Sequence, residues 1–287
     1  MIDEPRGLNL EPDRSSRHSI GVHASPAEVF RSLVDPGELG RWFVSEASVD
    51  LRPGGAYRWV FGASTGAPQE DAPVASGEFT TIVPQELVRM RARVDEAETD
   101  LEFRLDAWRD GTVLTVTHAG FPGEEEWDDT FRSIDRGWES EIHILKMYLE
   151  RARGMHRRSL LHQERVAAPP EAVFERFSTT AGLEGWLAER AAAEGTPGGE
   201  LLLEWAGRPA VKGHFAVFDP DRFLMMTWEG ERPSAVRLWL EETEEGAATA
   251  LSLEHRLFAP EGEAFAPFDW EGALRRLAGA VSLPAGS

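Results

Sequence analysis

The sequence predicts an α+β protein made of two tandem copies of one unit. Each copy is a curved antiparallel sheet wrapped around a C-terminal helix, with two short helices after the first strand. Three observations predict this. Matching residues recur at one fixed spacing. Period-two alternation fills the middle of each copy. An apolar stripe of helical period closes each one.

The repeat comes first, because a missed duplication misreads the whole fold. Ala27-Glu28-Val29-Phe30 is answered by Glu171-Ala172-Val173-Phe174, and Leu39-Gly40-Arg41-Trp42 by Leu183-Glu184-Gly185-Trp186. Pro53-Gly54-Gly55 is answered by Pro197-Gly198-Gly199, so the spacing of 144 residues holds without a gap. Beyond it, Gly77-Glu78-Phe79 matches Gly213-His214-Phe215 and Pro84 matches Pro220, at a spacing of 136. His118 matches His255 at 137, and Trp138-Glu139 matches Trp270-Glu271 at 132. The deletions fall between elements, where loops tolerate changes of length. The expected division is a polar tail over 1–14, a first domain over 15–154 and a second over 160–283. The arginine-rich end of the first helix leads into the junction.

Each unit opens on an extended segment, Ser15–His23 or Leu161–Ala167. Ser25-Pro26 and Pro169-Pro170 then start a helix, since a proline fits a first turn where its missing N–H has no partner. Val29, Phe30, Leu33 and Val34 have helical spacing, as do Val173, Phe174 and Phe177. A second short helix carries Leu39 and Trp42, or Leu183 and Trp186. Strands follow. Tyr57, Trp59 and Phe61 alternate with Arg58 and Val60, and Leu101, Phe103 and Leu105 with charged residues. Val88, Met90 and Ala92 alternate with Arg89, Arg91 and Arg93, a ladder expected to pair with acids on a neighbouring strand. Such alternation gives a sheet with one buried and one wet face. Arg104 and Arg237 each precede an inward leucine and are expected on the wet face. The first unit closes on a helix over about Trp127–Arg153 and the second on a shorter one over about Trp270–Val281. A curved sheet and one helix seldom close completely, so a cavity is expected between them. The longer helix predicts the larger cavity in the first unit.

Composition narrows the function. Acids number 50 against 30 bases, a formal net charge of −20. Nucleic acid and anionic lipid are bound through clustered cations, so neither partner is expected. The chain contains no cysteine, which removes disulfides, thiolate metal sites and thiol nucleophiles. No apolar leader is visible at the N-terminus, and no apolar run of 18 residues exists, so a cytoplasmic protein is expected. No Gly-x-Gly-x-x-Gly, phosphate loop, His-Glu-x-x-His or Gly-x-Ser-x-Gly motif is present, and no cofactor or metal is expected. The acidic stretch Glu124–Asp129 lacks the spacing of a calcium loop and reads as the start of a helix, where acids favour the dipole.

The ordered set of residues is similar to the SRPBCC or START-like superfamily, the helix-grip fold. It runs from Pro26-x-Glu28-Val29-Phe30 through Trp42-Phe43 to Pro53-Gly54-Gly55-x-Tyr57. It continues with Gly77-x-Phe79, Pro84 and Leu87-Val88, and ends at Gly137-Trp138. Within that superfamily it resembles the branch named after the activator of the heat-shock-protein-90 ATPase. The second copy matches at Pro170, Phe174, Trp186, Pro197-Gly198-Gly199, Gly213-His214-Phe215, Pro220 and Trp270. The resemblance implies a two-layer grip around an apolar cavity. It implies no single activity, because its members bind lipids or polyketides, act as cyclases or hydratases, sequester antibiotics, or assist a chaperone.

Candidate ligand-binding residues follow from the inward phases. In the first unit they are Trp42, Tyr57, Trp59, Phe61, Phe79, Met90, Phe103, Leu105, His118, Trp138 and Ile142. In the second they are Trp186, Trp205, Phe215, Met226, Leu238, His255 and Trp270. Large aromatics either wall a pocket for a flat ligand or fill a small core. His118 and His255 share a strand face with leucines and valines, which aims each imidazole inward. There it is either a weak candidate catalytic base or a strand-end histidine satisfied by its neighbours. The leading expectation is a binding protein for a small apolar or aromatic molecule. The alternatives are a cyclase, hydratase or hydrolase-like enzyme, an antibiotic-sequestering protein, and a chaperone-associated or regulatory protein. A tandem duplication also permits the two domains to pack as an intramolecular pseudo-dimer.

Overall fold

The computed structural model describes residues 14–62, 72–230, 232–243, 246–263 and 268–281. Two seven-stranded antiparallel sheets with the same topology are present. In the first, β1 (Arg14–Val22) precedes α1 (Pro26–Val34) and α2 (Pro36–Trp42). Six strands follow: β2 (Glu46–Val49), β3 (Ala56–Val60), β4 (Val74–Val83), β5 (Leu87–Val94), β6 (Ala97–Trp108) and β7 (Gly111–Phe121). A single 3₁₀ turn, Glu125–Trp127, leads into α3 (Asp128–Arg151). The spatial order is β1-β7-β6-β5-β4-β3-β2, so the first strand returns to pair with the last.

The second sheet repeats this plan. It runs through β8 (His156–Val166), α4 (Pro170–Ser178), α5 (Thr180–Leu183), β9 (Arg190–Ala193), β10 (Glu200–Glu204), β11 (Val211–Asp219), β12 (Phe223–Glu229), β13 (Pro233–Thr243), β14 (Ala248–Ala259) and α6 (Trp270–Val281). Its order is β8-β14-β13-β12-β11-β10-β9. The described residues form two compact units that divide inside α3, between Ile142 and His143, with Gly40–Ser45, Gly62 and Ala72 grouped with the second. The expected N-terminal tail lies outside the described residues except for Arg14, which opens β1.

Local chemistry explains the repeated motifs. Ser25 caps α1 with a full capping box: its hydroxyl accepts from the Glu28 N–H while the Glu28 carboxylate accepts from the Ser25 N–H at 2.8 Å. In both Pro-Gly-Gly turns the first glycine takes a left-handed φ, +75° at Gly54 and +76° at Gly198. The second leaves no room for a side chain: a Cβ at Gly55 would lie 2.0 Å from the Asp50 carbonyl oxygen, and one at Gly199 would lie 1.9 Å from that of Glu194. A register shift interrupts β4–β5 between Phe79 and Thr81, and β11–β12 between Phe215 and Val217. The bulge is therefore part of the repeated unit and not a local accident.

Two elements depart from the sequence reading. β8 begins at His156, inside the stretch expected to connect the units, and pairs with β14 from Ala259 onward. Arg104 is half exposed as expected, whereas Arg237 is buried. Arg237 does lie on the face opposite Leu238, but that face of β13 and β14 is covered in the second unit. Phe258, two and four residues along β14 from Arg256 and Glu254, meets Tyr148 of α3 at 5.7 Å between ring centroids. The Arg237 guanidinium is balanced by Glu254, whose carboxylate accepts from its Nε at 2.8 Å, and Arg256 Nε donates to the same carboxylate at 3.1 Å. Burial alone would raise the Glu254 pKa; the two guanidiniums outweigh it and hold the carboxyl well below the usual range. In the first unit the arginine ladder stays in water, with Arg89 paired to Glu102 at 2.6 Å and Arg91 to Glu78 at 3.3 Å.

Candidate functional site

Each histidine sits on the inner face of its last strand. In β7 the alternation buries Leu114, Val116 and His118 on one side; in β14 it buries Leu251, Leu253 and His255. The C-terminal helix of each unit places a tryptophan against the imidazole. Trp138 Nε1–H donates to His118 Nδ1 at 3.0 Å, and Trp270 Nε1–H donates to His255 Nδ1 at 3.1 Å. An indole N–H is only a donor, so Nδ1 is the unprotonated nitrogen and Nε2 carries the proton in the neutral ring. Burial lowers both imidazole pKa values to about 4, so both rings are neutral at pH 7.

The two Nε2–H groups have different fates. His118 Nε2 bonds Thr99 Oγ1 at 2.8 Å, and the Thr99 hydroxyl donates onward to the Ala92 carbonyl at 3.2 Å. Every polar atom of that buried chain is satisfied. His255 Nε2 is buried and has no hydrogen-bond partner among the described residues. Strand register shows what changed. Leu101 pairs with His118 and Thr99 with Ala92; Val236 pairs with His255 and Ser234 with Trp228. Ser234 thus stands where the first unit has Thr99, and Trp228 where it has Ala92. The Trp228 indole N–H is also buried without a partner among the described residues.

Trp228 builds an aromatic cluster around this histidine. Its ring lies 5.0 Å from His255 and stacks on Trp270 at 5.6 Å. Phe268 packs edge-on to it at 5.5 Å, and Trp205 lies 6.3 Å away. Trp205 is fixed by its own indole N–H, which donates to the Leu187 carbonyl at 2.7 Å. Trp205, Trp228 and Phe268 wall a pocket of about 410 Å³ at the end of the sheet, with Ser234 also on its lining and the exposed Arg208 at its rim; His255 and Trp270 are not on the lining. Arg232, on the same rim, is ion-paired with Glu263.

The sequence-predicted residues are distributed unevenly over this picture. Tyr57, Trp59, Phe79, Met90, Phe103, Leu105 and Ile142 are buried in the first unit, while Phe61 and Trp138 are half-buried. Trp138 meets Phe103 edge-on at 5.5 Å. Trp42 is buried and stacks on Phe43 at 4.9 Å. In the second unit Trp186, Phe215, Met226, Leu238 and Trp270 join one continuous core. Of all these candidates, Trp205 alone lines the pocket just described. Trp228, Ser234 and Phe268 line it too and are absent from the sequence reading. Trp228 shares the inward phase of Met226, two residues before it, and that phase is the signal that marks it. The sequence favours the first unit for the larger cavity, whereas this pocket lies in the second.

Paired antiparallel grips, each closed by a helix that reaches the last strand through a Trp–His hydrogen bond, define a tandem α+β helix-grip protein. The chain belongs to the family of activator of Hsp90 ATPase homolog 1-like proteins, whose model matches residues 23–150 and again 167–282. Among solved structures it is similar to DynU16 from the dynemicin biosynthetic locus, with 19% identity over 94% of this chain and 95% of that one, at a TM-score of 0.42. It is similar to the Aha1 dimer from Colwellia psychrerythraea, with 21% identity over 49% of this chain and 99% of that one, at a TM-score of 0.42. It is also similar to the di-domain ARO/CYC BexL from the BE-7585A biosynthetic pathway, with 18% identity over 85% of each chain, at a TM-score of 0.40. No curated protein matches the chain. Among the described residues no helix is long and apolar enough to cross a membrane.

Proposed function

We propose that the protein binds a small apolar or aromatic molecule in the pocket of its second unit. The observation that carries this reading is the wall of Trp205, Trp228 and Phe268 around a space of about 410 Å³. That volume is in the range of small-molecule sites, which are mostly apolar with a few placed polar groups. A binding role fits the chemistry better than a catalytic one. Both imidazoles are weak bases with Nδ1 already engaged, and a general base works best with a pKa near the working pH. The strongly acidic composition supports a cytoplasmic setting without nucleic acid or membrane as partner.

Mass spectrometry of molecules released from the natively purified protein tests the reading. An aromatic molecule is expected, and Trp205→Ala should reduce its occupancy severalfold. Failure to recover any such molecule, together with no binding of fluorene in calorimetry, would overturn the proposal.

A further inference from the structure

We infer that the second unit's pocket recognises a flat aromatic ligand through a carbonyl oxygen held by two N–H donors, His255 Nε2 and Trp228 Nε1. This rests on the reading of that pocket as a small-molecule site and adds the chemistry that it selects. Three observations converge. First, both donors belong to side chains only 5% exposed, and neither has a partner among the described residues. Leaving a buried donor unpaired is costly, so two at one place are unusual unless something else meets them. Second, the two side chains are adjacent. Their ring centroids lie 5.0 Å apart; Trp228 lines the pocket, and His255 packs against it just off the lining. Ser234, cross-strand from Trp228 and two residues before the partner of His255, lines the pocket as well.

The third observation is the first unit, which serves as an internal reference. There the same Nε2–H is met by Thr99, and a small residue, Ala92, occupies the position of Trp228. The fold therefore has a way to satisfy this histidine from within, and the second unit has replaced both halves of it. A serine stands in place of the threonine, and a large aromatic with its own N–H stands in place of the alanine. Both changes remove an internal partner or add a donor, and both occur on the lining of the pocket.

The donor set selects the ligand. Two neutral N–H groups suit an acceptor, and a carbonyl oxygen has two lone pairs to receive both. Arg232 on the rim is ion-paired with Glu263 while Arg208 keeps its charge there, so the choice of a neutral ketone or quinone rests on the two neutral donors and not on the rim. The rings of Trp205, Trp228 and Phe268 on the lining provide the aromatic surface against which a flat ring lies.

Calorimetry on the full chain with 9-fluorenone and with fluorene, which have the same rings but differ in the carbonyl, tests this directly. The ketone should bind at least tenfold more tightly. Trp228→Phe keeps the ring and removes one donor; His255→Phe removes the other. Each should cut the ketone's preference to threefold or less. In the wild-type protein the indole N–H proton resonance of Trp228 should move downfield with 9-fluorenone and stay in place with fluorene. Equal affinity for the two probes, or a preference that survives both substitutions, would overturn the inference and leave the apolar pocket standing. Binding of neither probe would overturn both.

Discussion

The first unit satisfies its buried histidine with its own threonine, and in the second the same nitrogen is buried near a pocket with no partner among the described residues. The two copies share strand order, bulge, turn glycines and the Trp–His bond, so these are requirements of the fold. The copies differ in the length of the closing helix, α3 against α6, and, closer to the site, in the neighbours of the histidine and in the opposite sheet face. Duplication separates the two roles: one copy shows what the fold needs for stability, and the other shows what has been changed on top of it.

The opposite faces give the largest expected contrast. Glu254 is buried between Arg237 and Arg256, whereas Glu102 meets Arg89 and Arg104 near solvent. Glu254→Ala would remove the carboxylate that balances two buried guanidiniums and should cost about 3–5 kcal/mol. Glu102→Ala breaks screened surface pairs and should cost about 1 kcal/mol or less. Denaturant unfolding, with each unit followed by amide exchange, reads both. Similar losses at the two sites would show that the covered face of the second sheet adds nothing to its charge cluster.

Acid should erase a different part of the comparison. Burial lowers the pKa of His118 and of His255 from 6.5 to about 4. The unfolded chain therefore binds more protons than the folded one between these values, and stability falls as pH drops from about 6.5 towards 4. Above pH 6.5 neither group changes stability with pH. Each histidine should account for at most about 3 kcal/mol across that window. His118→Gln and His255→Gln should each flatten the acid limb of the stability curve in its own unit. An acid limb unchanged in both variants would mean that carboxylates alone set it.

Much of this was legible in the sequence, and the reasons for the rest are physical. The duplication showed because turn glycines and buried aromatics have few substitutes, so Gly54, Gly55 and Trp42 could be matched to Gly198, Gly199 and Trp186. The inward aim of the two histidines followed from period two. Period two gives the face of a side chain and not what covers it, so Arg237 was expected in water. Trp228 was missed for the opposite reason. Matching the copies rewards sameness, and Trp228 stands where the first unit has Ala92. The start of β8 was hidden because Arg157 and Arg158 continue the basic end of α3, and only pairing with β14 makes that stretch a strand.

The histidine environments themselves should respond unequally. Thr99→Val keeps the shape of the side chain and removes the hydroxyl that joins His118 Nε2 to the Ala92 carbonyl. Loss of that link leaves a buried donor unmet and should cost about 1–3 kcal/mol. Ser234→Ala at the matching position has no histidine bond to break and should change stability by roughly 0.5 kcal/mol or less. Equal costs at the two positions would show that Ser234 already serves His255 as Thr99 serves His118.

The smallest effect is the sharpest test, because it converts one copy towards the other. Ser234→Thr places the first unit's residue beside His255. The β-branched side chain has restricted rotamers on a strand, and in β6 the same residue holds its hydroxyl towards the imidazole. A new bond to Nε2 should stabilise the second unit by about 0.5–1.5 kcal/mol, the net value of an ordinary hydrogen bond. It should also occupy one of the two donors offered to a ligand. Stability and recognition then move in opposite directions: the melting transition rises, and the preference for 9-fluorenone over fluorene falls. A rise in stability with the preference intact would place recognition on Trp228 alone. A fall in stability would mean that Trp228, which replaces Ala92, has taken the space that the threonine needs, and that the second copy can no longer be closed from within.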